Sequence, residues 1–344
     1  MIISVAIVDK DREYAERLRG GLEAYSGLNL SLFSSGEKFQ KALEKNKYDI
    51  VFFDPDCSED TLHFGTVKLP VCLCSVASDK VNFYGDNVLK IEKYQRISTI
   101  YKKAMGEYSV RVPNTWNAGN GNSKLVAVYS PIGGSGKTTV AYSLAMALAG
   151  NGRNVLYLNL ESVCSSSAIL APKDKGVVDL LSAVEKGADF SLKLVSMLET
   201  GMGGVRYIGG FAHTADYSAV TVEEIESLLT SLKTSSDFEY VVIDTTSDTS
   251  VITKAALELS ERIVLVENPG DFAAAKMGIY VDQADFLSYT EKIVRVMNFA
   301  DSKSKYFNIP NITDAGMVQN YGNYPVKDML KNISVSGSIK LSEI

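Results

Sequence analysis

Residues 129–139 read Tyr-Ser-Pro-Ile-Gly-Gly-Ser-Gly-Lys-Thr-Thr, a set of residue types whose spacing suits the holding of an anion. Gly133, Gly134 and Gly136 let the main chain come close to a ligand. Its N–H groups, with the positive end of a following helix, then face the negative charge. Ser135 and Thr139 fill out the loop, Lys137 is placed to contact outer phosphates, and the Thr138 hydroxyl is placed to bind Mg²⁺. Asp244 ends the apolar run Tyr240-Val241-Val242-Ile243. A carboxylate at that point accepts from a metal-bound water or from the loop threonine, its alternative role being to cap the next helix. Glu161, after Asn159-Leu160, is a third candidate, able to hold a water. Lys137, Glu161 and Asp244 are the expected catalytic set, with Thr138 and Asp244 at the metal.

These side chains need a strand, a turn and a helix. Leu125–Val128 supplies the strand, and Thr138–Ala149, rich in alanine, the helix. Beyond it come strand patterns at Val155–Leu158, Val205–Ile208, Glu239–Ile243, Ile263–Glu267 and Ile293–Met297. Val222–Leu232 reads as an amphipathic helix with Ile225, Leu228, Leu229 and Leu232 on one face, and about Phe272 to Leu287 as one long helix. The predicted product is an open, mostly parallel sheet with its ligand at the C-terminal ends of the strands. Before residue 107 a smaller set alternates in the same way. Its strands are Ile3–Val8, Leu28–Phe33, Asp49–Phe53, Pro70–Val76 and Asn87–Ile91, and its helices run through Tyr14, Leu18 and Leu22, over Gly36–Lys45 and over Tyr94–Met105. The fold class is therefore α/β with two doubly wound domains, 1–107 and 124–344, joined by a turn-rich linker at 108–123.

The 344 residues are long enough for two cores, and a net charge of −6 argues against a broadly basic, DNA-coating surface. Cys57, Cys72, Cys74 and Cys164 have no zinc spacing. Cys72 and Cys74 alternate in an apolar strand and read as buried free thiols, and His63 and His213 have no partner pattern. Ile2–Val8 is followed at once by charge, so it reads as a strand and not a signal peptide, and no run approaches a membrane span. The expected location is cytoplasmic.

The second half resembles the MinD/ParA family of P-loop ATPases. Gly133–Thr139 matches the family's phosphate loop, and Asn159-Leu160-Glu161 falls where it has an Asp-x-Asp segment. Asn268-Pro269 follows the strand before the nucleotide-side loop. Asn298 stands where family members carry an asparagine that can read the adenine edge, and Ile309-Pro310 comes next. The resemblance implies ATP and Mg²⁺ as ligands, with Asn268, Pro269 and Asn298 among the nucleotide contacts, and a homodimer. Two departures matter. The family lysine that reaches a dimer partner's phosphates is here Ile132, preceded by Pro131, and the proline two residues after the acid is Thr246. Binding of ATP with slow or absent hydrolysis is the expectation.

The first half resembles the receiver domain of two-component signalling proteins. Asp9 and Asp54 stand after the first and third strands, where receivers carry an Mg²⁺-binding acid and the phosphorylated aspartate, and Ser75 and Lys93 match the later hydroxyl and lysine. The acidic pair is interrupted as Asp9-Lys10-Asp11, the usual Lys-Pro is Lys93-Tyr94, and there is little room for the third and fourth helices. A degenerate receiver used for docking or dimerisation is expected, the alternative being a working phosphoswitch at Asp54. The domain order and the missing lysine together resemble the TadZ/CpaE group of pilus-assembly proteins. That resemblance implies a nucleotide-dependent dimer serving a pilus or secretion assembly, recruited by a protein partner to a cell pole or inner-membrane site. Chromosome or plasmid partitioning, with active hydrolysis, is the alternative. Ser334, Ser336, Gly337 and Ser338 interrupt any amphipathic membrane stripe in the tail, so direct membrane insertion is not expected, and DNA is an unlikely ligand.

Overall fold

The structure is a computed structural model that describes residues 2–25, 27–57, 62–75, 87–112, 122–171, 175–234 and 237–344. It divides into two compact units, Met1–Thr115 with Gly187–Met197, and Trp116–Lys186 with Leu198–Ile344.

The first unit begins with β1 (Ile3–Val8), α1 (Arg12–Leu22), β2 (Leu28–Phe33), α2 (Gly36–Leu43) and β3 (Ile50–Phe53). It continues with β4 (Leu69–Cys74), β5 (Leu89–Glu92) and α3 (Ile97–Arg111). All five strands are parallel in the order β2-β1-β3-β4-β5, the flavodoxin-type doubly wound arrangement. Side chains alternate across β1. Val5 and Ile7 join a core with Leu18, Leu22, Ile100 and Met105, while Ala6 and Val8 join one with Phe39, Phe53 and Cys72. Both faces are thus covered, which is why the strands read as continuous apolar runs. Helix α3 starts three residues later than its sequence pattern and continues to Arg111, burying Tyr108 and Ser109. Residues 108–111 are therefore helix rather than the start of a linker, because those two side chains have a core to enter. Residues 113–121 of that linker lie outside the described residues.

The second unit holds β6 (Lys124–Tyr129), α4 (Lys137–Gly150), β7 (Val155–Leu160) and α5 (Val177–Glu185). The chain then places α6 (Phe190–Met197) in the first unit, where Leu192 and Val195 pack on that unit's core and the Asp189 N–H donates to the Ser109 carbonyl of α3. Returning, it forms β8 (Glu199–Thr200), β9 (Arg206–Tyr207), α7 (Thr214–Ala219), α8 (Val222–Thr234), β10 (Tyr240–Thr245), α9 (Val251–Leu259) and β11 (Arg262–Glu267). It ends with α10 (Asp271–Val281), α11 (Ala284–Tyr289), β12 (Ile293–Ala300), β13 (Thr313–Gln319) and α12 (Val326–Val335). The sheet order is β13-β12-β11-β6-β10-β7-β9-β8, parallel except for the short β8–β9 pair. The alternation seen in β1 recurs in β6. Val126 and Val128 pack with α4, and Ala127 and Tyr129 pack with Ile263, Met277 and Phe286 on the other face. The single helix expected at 272–287 is two, because Gln283 is extended and starts a new turn.

Candidate nucleotide site

Strand β6 lies between β10 and β11, so the loop that leaves its C-terminal end emerges at the middle of the sheet. Gly134 and Gly136 have φ of +71° and +86°, the left-handed region that glycine enters without strain. A Cβ on Gly136 would stand 2.1 Å from the Asn298 side-chain nitrogen, whereas the corresponding space at Gly133 and Gly134 is open. The open side is where a phosphate would lie. Helix α4 begins at Gly136 with no side-chain cap and no acid in its first turn, so its first N–H groups remain for an anion. Apolar residues surround this helix on every side, as befits one buried under the sheet.

The register of β10 on β7 sets Asp244 beside Asn159. Asp244 is fully buried, and its Oδ2 accepts from Tyr157 Oη at 2.8 Å. Burial, and secondarily the charge of Glu161, push its carboxyl up to about 7. The Thr138 hydroxyl donates to Glu161 Oε1 at 3.2 Å, and Glu161 Oε2 accepts from Asn159 Nδ2 at 3.0 Å and Ser165 Oγ at 2.6 Å. Lys137 is also buried. Its Nζ donates to Ser247 Oγ, and burial pushes its ammonium below the ordinary lysine value against the pull of Asp244 and Glu161. Lys137, Thr138, Glu161 and Asp244 therefore converge at one end of the sheet. Two buried oxygens there, Ser135 Oγ and Asp244 Oδ1, have no hydrogen-bond partner. Orphaned acceptors beside an uncapped helix and open glycines fit a magnesium–phosphate group.

Asn268 and Pro269 line a groove with Ile132, Gly133, Asp271 and Lys276, so the structure places that loop beside the phosphate loop. Asn298 lies elsewhere in kind. It is 1% exposed, and its amide donates to the Ser135 carbonyl at 2.8 Å, holding the phosphate loop from beneath. Thr139 is half-buried on the first turn of α4. Ile132, 5% exposed, packs among Tyr129, Ile263, Ala273 and Met277. Tyr157, Ser165 and Ser247 were not among the residues expected at the site. The position of Tyr157 two residues before Asn159 on a strand, hence on the same face, is the one signal that pointed to it.

Residues 123–286 match the family model described as an AAA domain. That segment is similar to P-loop ATPase domains of the MinD/ParA type. The chain is similar to the septum site-determining protein MinD of Bacillus subtilis, 26% identical over 147 residues, which are 42% of this chain and 53% of that protein. It is also similar to MinD of Escherichia coli K12, 25% identical over 148 residues, 43% of this chain and 53% of that one. It thus spans about half the length of the curated relatives it matches. A ParA family ATPase from Chlorobium tepidum has a similar fold, with a TM-score of 0.50 and 19% identity over 64% of this chain and 92% of that one. In the matched segment the loop, its lysine and its acid lie at one end of the sheet, while Ile132, just before the loop glycines, belongs to the domain's own core.

The first unit brings together a second polar cluster. Asp9, Asp54 and Lys93 follow β1, β3 and β5, whose C-terminal ends lie along one sheet edge. Lys93 Nζ pairs with Asp9 Oδ2 at 2.7 Å and with Asp54 Oδ2, and sits 4.7 Å from the Tyr14 ring centre. The remaining carboxylate oxygens accept main-chain N–H groups, Asp9 Oδ1 from Asp11 and Asp54 Oδ1 from Asp56. Burial lowers and the two carboxylates raise the lysine's proton affinity, and the carboxylates win, so Lys93 is held charged. Ser75 directly follows β4.

Proposed function

We propose that the chain is an ATP-binding factor that dimerises under nucleotide control and turns ATP over slowly or not at all. The observation that carries this reading is Ile132. The parts that hold a nucleotide and its metal are present, yet the residue at the position of the trans-acting lysine is an apolar side chain committed to its own core. Lys137 would bind the outer phosphates, Thr138 and Asp244 would hold Mg²⁺, and bound Mg²⁺ would supply neutralising charge to the phosphates. Glu161, fixed by Ser165 and Asn159, would orient a water without a neighbouring cation to stabilise the charge that develops on transfer. Mg-ATP titrated into the intact chain should bind, and Lys137→Ala should weaken binding by about 100-fold or more, since charge-assisted phosphate contacts are the strong ones. Turnover at the rate of an active family member, abolished in Lys137→Ala, would reject the slow-hydrolysis reading.

The finer reading, a positioning role for a pilus or secretion assembly of the TadZ/CpaE kind, is supported by a receiver-like unit placed ahead of such an ATPase. The strand order of the first unit and its Asp9–Asp54–Lys93 cluster support a receiver origin. The interrupted Asp9-Lys10-Asp11 pair and the Lys93-Tyr94 in place of Lys-Pro favour a degenerate one. Incubation of the intact chain with acetyl phosphate and Mg²⁺ should leave its mass unchanged. A stable gain of one phosphate, lost in Asp54→Asn, would restore the phosphoswitch.

A further inference from the structure

Ser247 leaves β10 three residues after Asp244, and no role follows for it from the family pattern. Its hydroxyl has one proton to give and lone pairs to receive. The proton goes to the Ile132 carbonyl at 3.0 Å, and a lone pair accepts from Lys137 Nζ. One hydroxyl therefore ties the entry of the phosphate loop, the loop lysine and the segment that follows the buried acid. Asp244, Glu161 and Asp248 all attract the Lys137 ammonium through space, but its hydrogen bond is to Ser247. The next residue is firmly held. Asp248 accepts from Tyr217 Oη at 3.0 Å, Ser250 Oγ at 2.9 Å and Thr253 Oγ1 at 2.7 Å, so Ser247 is an acceptor fixed in place.

We propose that Ser247 is a positioning residue that holds Lys137 at the loop entry and competes with the outer phosphates of a nucleotide for its ammonium. The phosphates then bind only by taking Lys137 from Ser247, which leaves the 245–250 segment tied to the loop through the Ser247–Ile132 bond alone. Arrival of the nucleotide is in this way reported to the segment that follows Asp244. The competition rests on the reading that this domain binds Mg-ATP through Lys137; the holding contact does not.

The test uses the intact chain with Ser247→Ala and, as the variant that keeps the hydroxyl, Ser247→Thr. Without added nucleotide, reductive methylation of Lys137 by formaldehyde and cyanoborohydride, read by peptide mass spectrometry, should run several-fold faster in Ser247→Ala and at the parent rate in Ser247→Thr. Titration with Mg-ATP should show Ser247→Ala binding about three- to tenfold more tightly, the effect of removing one competing charge-assisted hydrogen bond. Should the alanine protein fail to fold, Ser247→Cys, with a thiol that accepts weakly, takes its place. Equal Lys137 reactivity in the parent and the alanine variant overturns the proposal, as does unchanged or weaker Mg-ATP binding in that variant. Absence of any Lys137-dependent nucleotide binding in the parent defeats the ATP reading instead, and the methylation rates still decide whether Ser247 holds the lysine.

Discussion

In the proposed reading, Ile132 separates holding a phosphate from acting on one. Surrounded by Tyr129, Ile263 and Met277, it cannot be exchanged for a lysine without putting an ammonium into an apolar core. Ile132→Lys should therefore cost about 2–3 kcal/mol of stability and leave ATP turnover unraised; a faster hydrolase with an unchanged melting temperature would show that the position still faces a partner. Asp244 gives a pH-dependent counterpart. Its folded pKa of about 7 lies above the ordinary value of 3.8, so the folded state binds more protons between them. Stability should fall as pH rises through that window and level off above it. In protein without nucleotide, Asp244→Asn should remove that slope and raise stability at pH 8 by on the order of a few kcal/mol, while abolishing the stabilisation given by Mg-ATP. Thermal melts at pH 5 and pH 8 would check this, and a pH-independent gain would refute the assignment. Lys137 and Thr138 were legible because their spacing is local to a strand, a turn and a helix, and Asp244 because it ends an apolar strand run. The loop-holding role of Asn298 was not, since its contact with Ser135 joins residues far apart in sequence that only the sheet order brings together.

Among the elements, buried parallel strands announced themselves as apolar runs, and their two-faced burial in β1 and β6 explains why. Helix α4 was equally plain. The edges were less so: β8 is two residues long and β13 is partly exposed, so neither carries a usable period, although the Val205–Ile208 pattern did mark the two-residue β9. Helix α12 was hidden for another reason. The serines of the tail suggested interruption, but Leu330 and Ile333 enter the core that α4 also packs against. Leu330→Ala should cost about 2–5 kcal/mol, the range for truncating a buried leucine. Chemical denaturation would measure it, and a loss under 0.5 kcal/mol would mean that α12 is not part of the core. Gly136→Ala should be worse for function than for fold, because the added methyl meets Asn298 in a backbone conformation only glycine adopts freely.

For the whole molecule, two α/β units were readable from the two cycles of strand and helix, but the assignment of α6 was not. Nothing in the pattern of Phe190–Met197 says which core will receive it, because apolar periodicity specifies a buried face and not a partner. If Leu192 and Val195 close the first unit, a fragment of residues 1–112 should melt below that unit's transition in the intact chain and bind a hydrophobic dye. A synthetic peptide of residues 187–197 should restore it, and equal melting of fragment and intact unit would remove α6 from that core. The path of the chain also bears on descent. It passes from the first unit to the second at residues 115/116, back at Lys186/Gly187, and out again at Met197/Leu198. A recombination event, or a protease cut, within residues 113–121 would leave part of the first unit attached to the second. An exchange of the first unit would therefore have to carry residues 187–197 with it, a segment that lies more than seventy positions downstream of the rest of that unit.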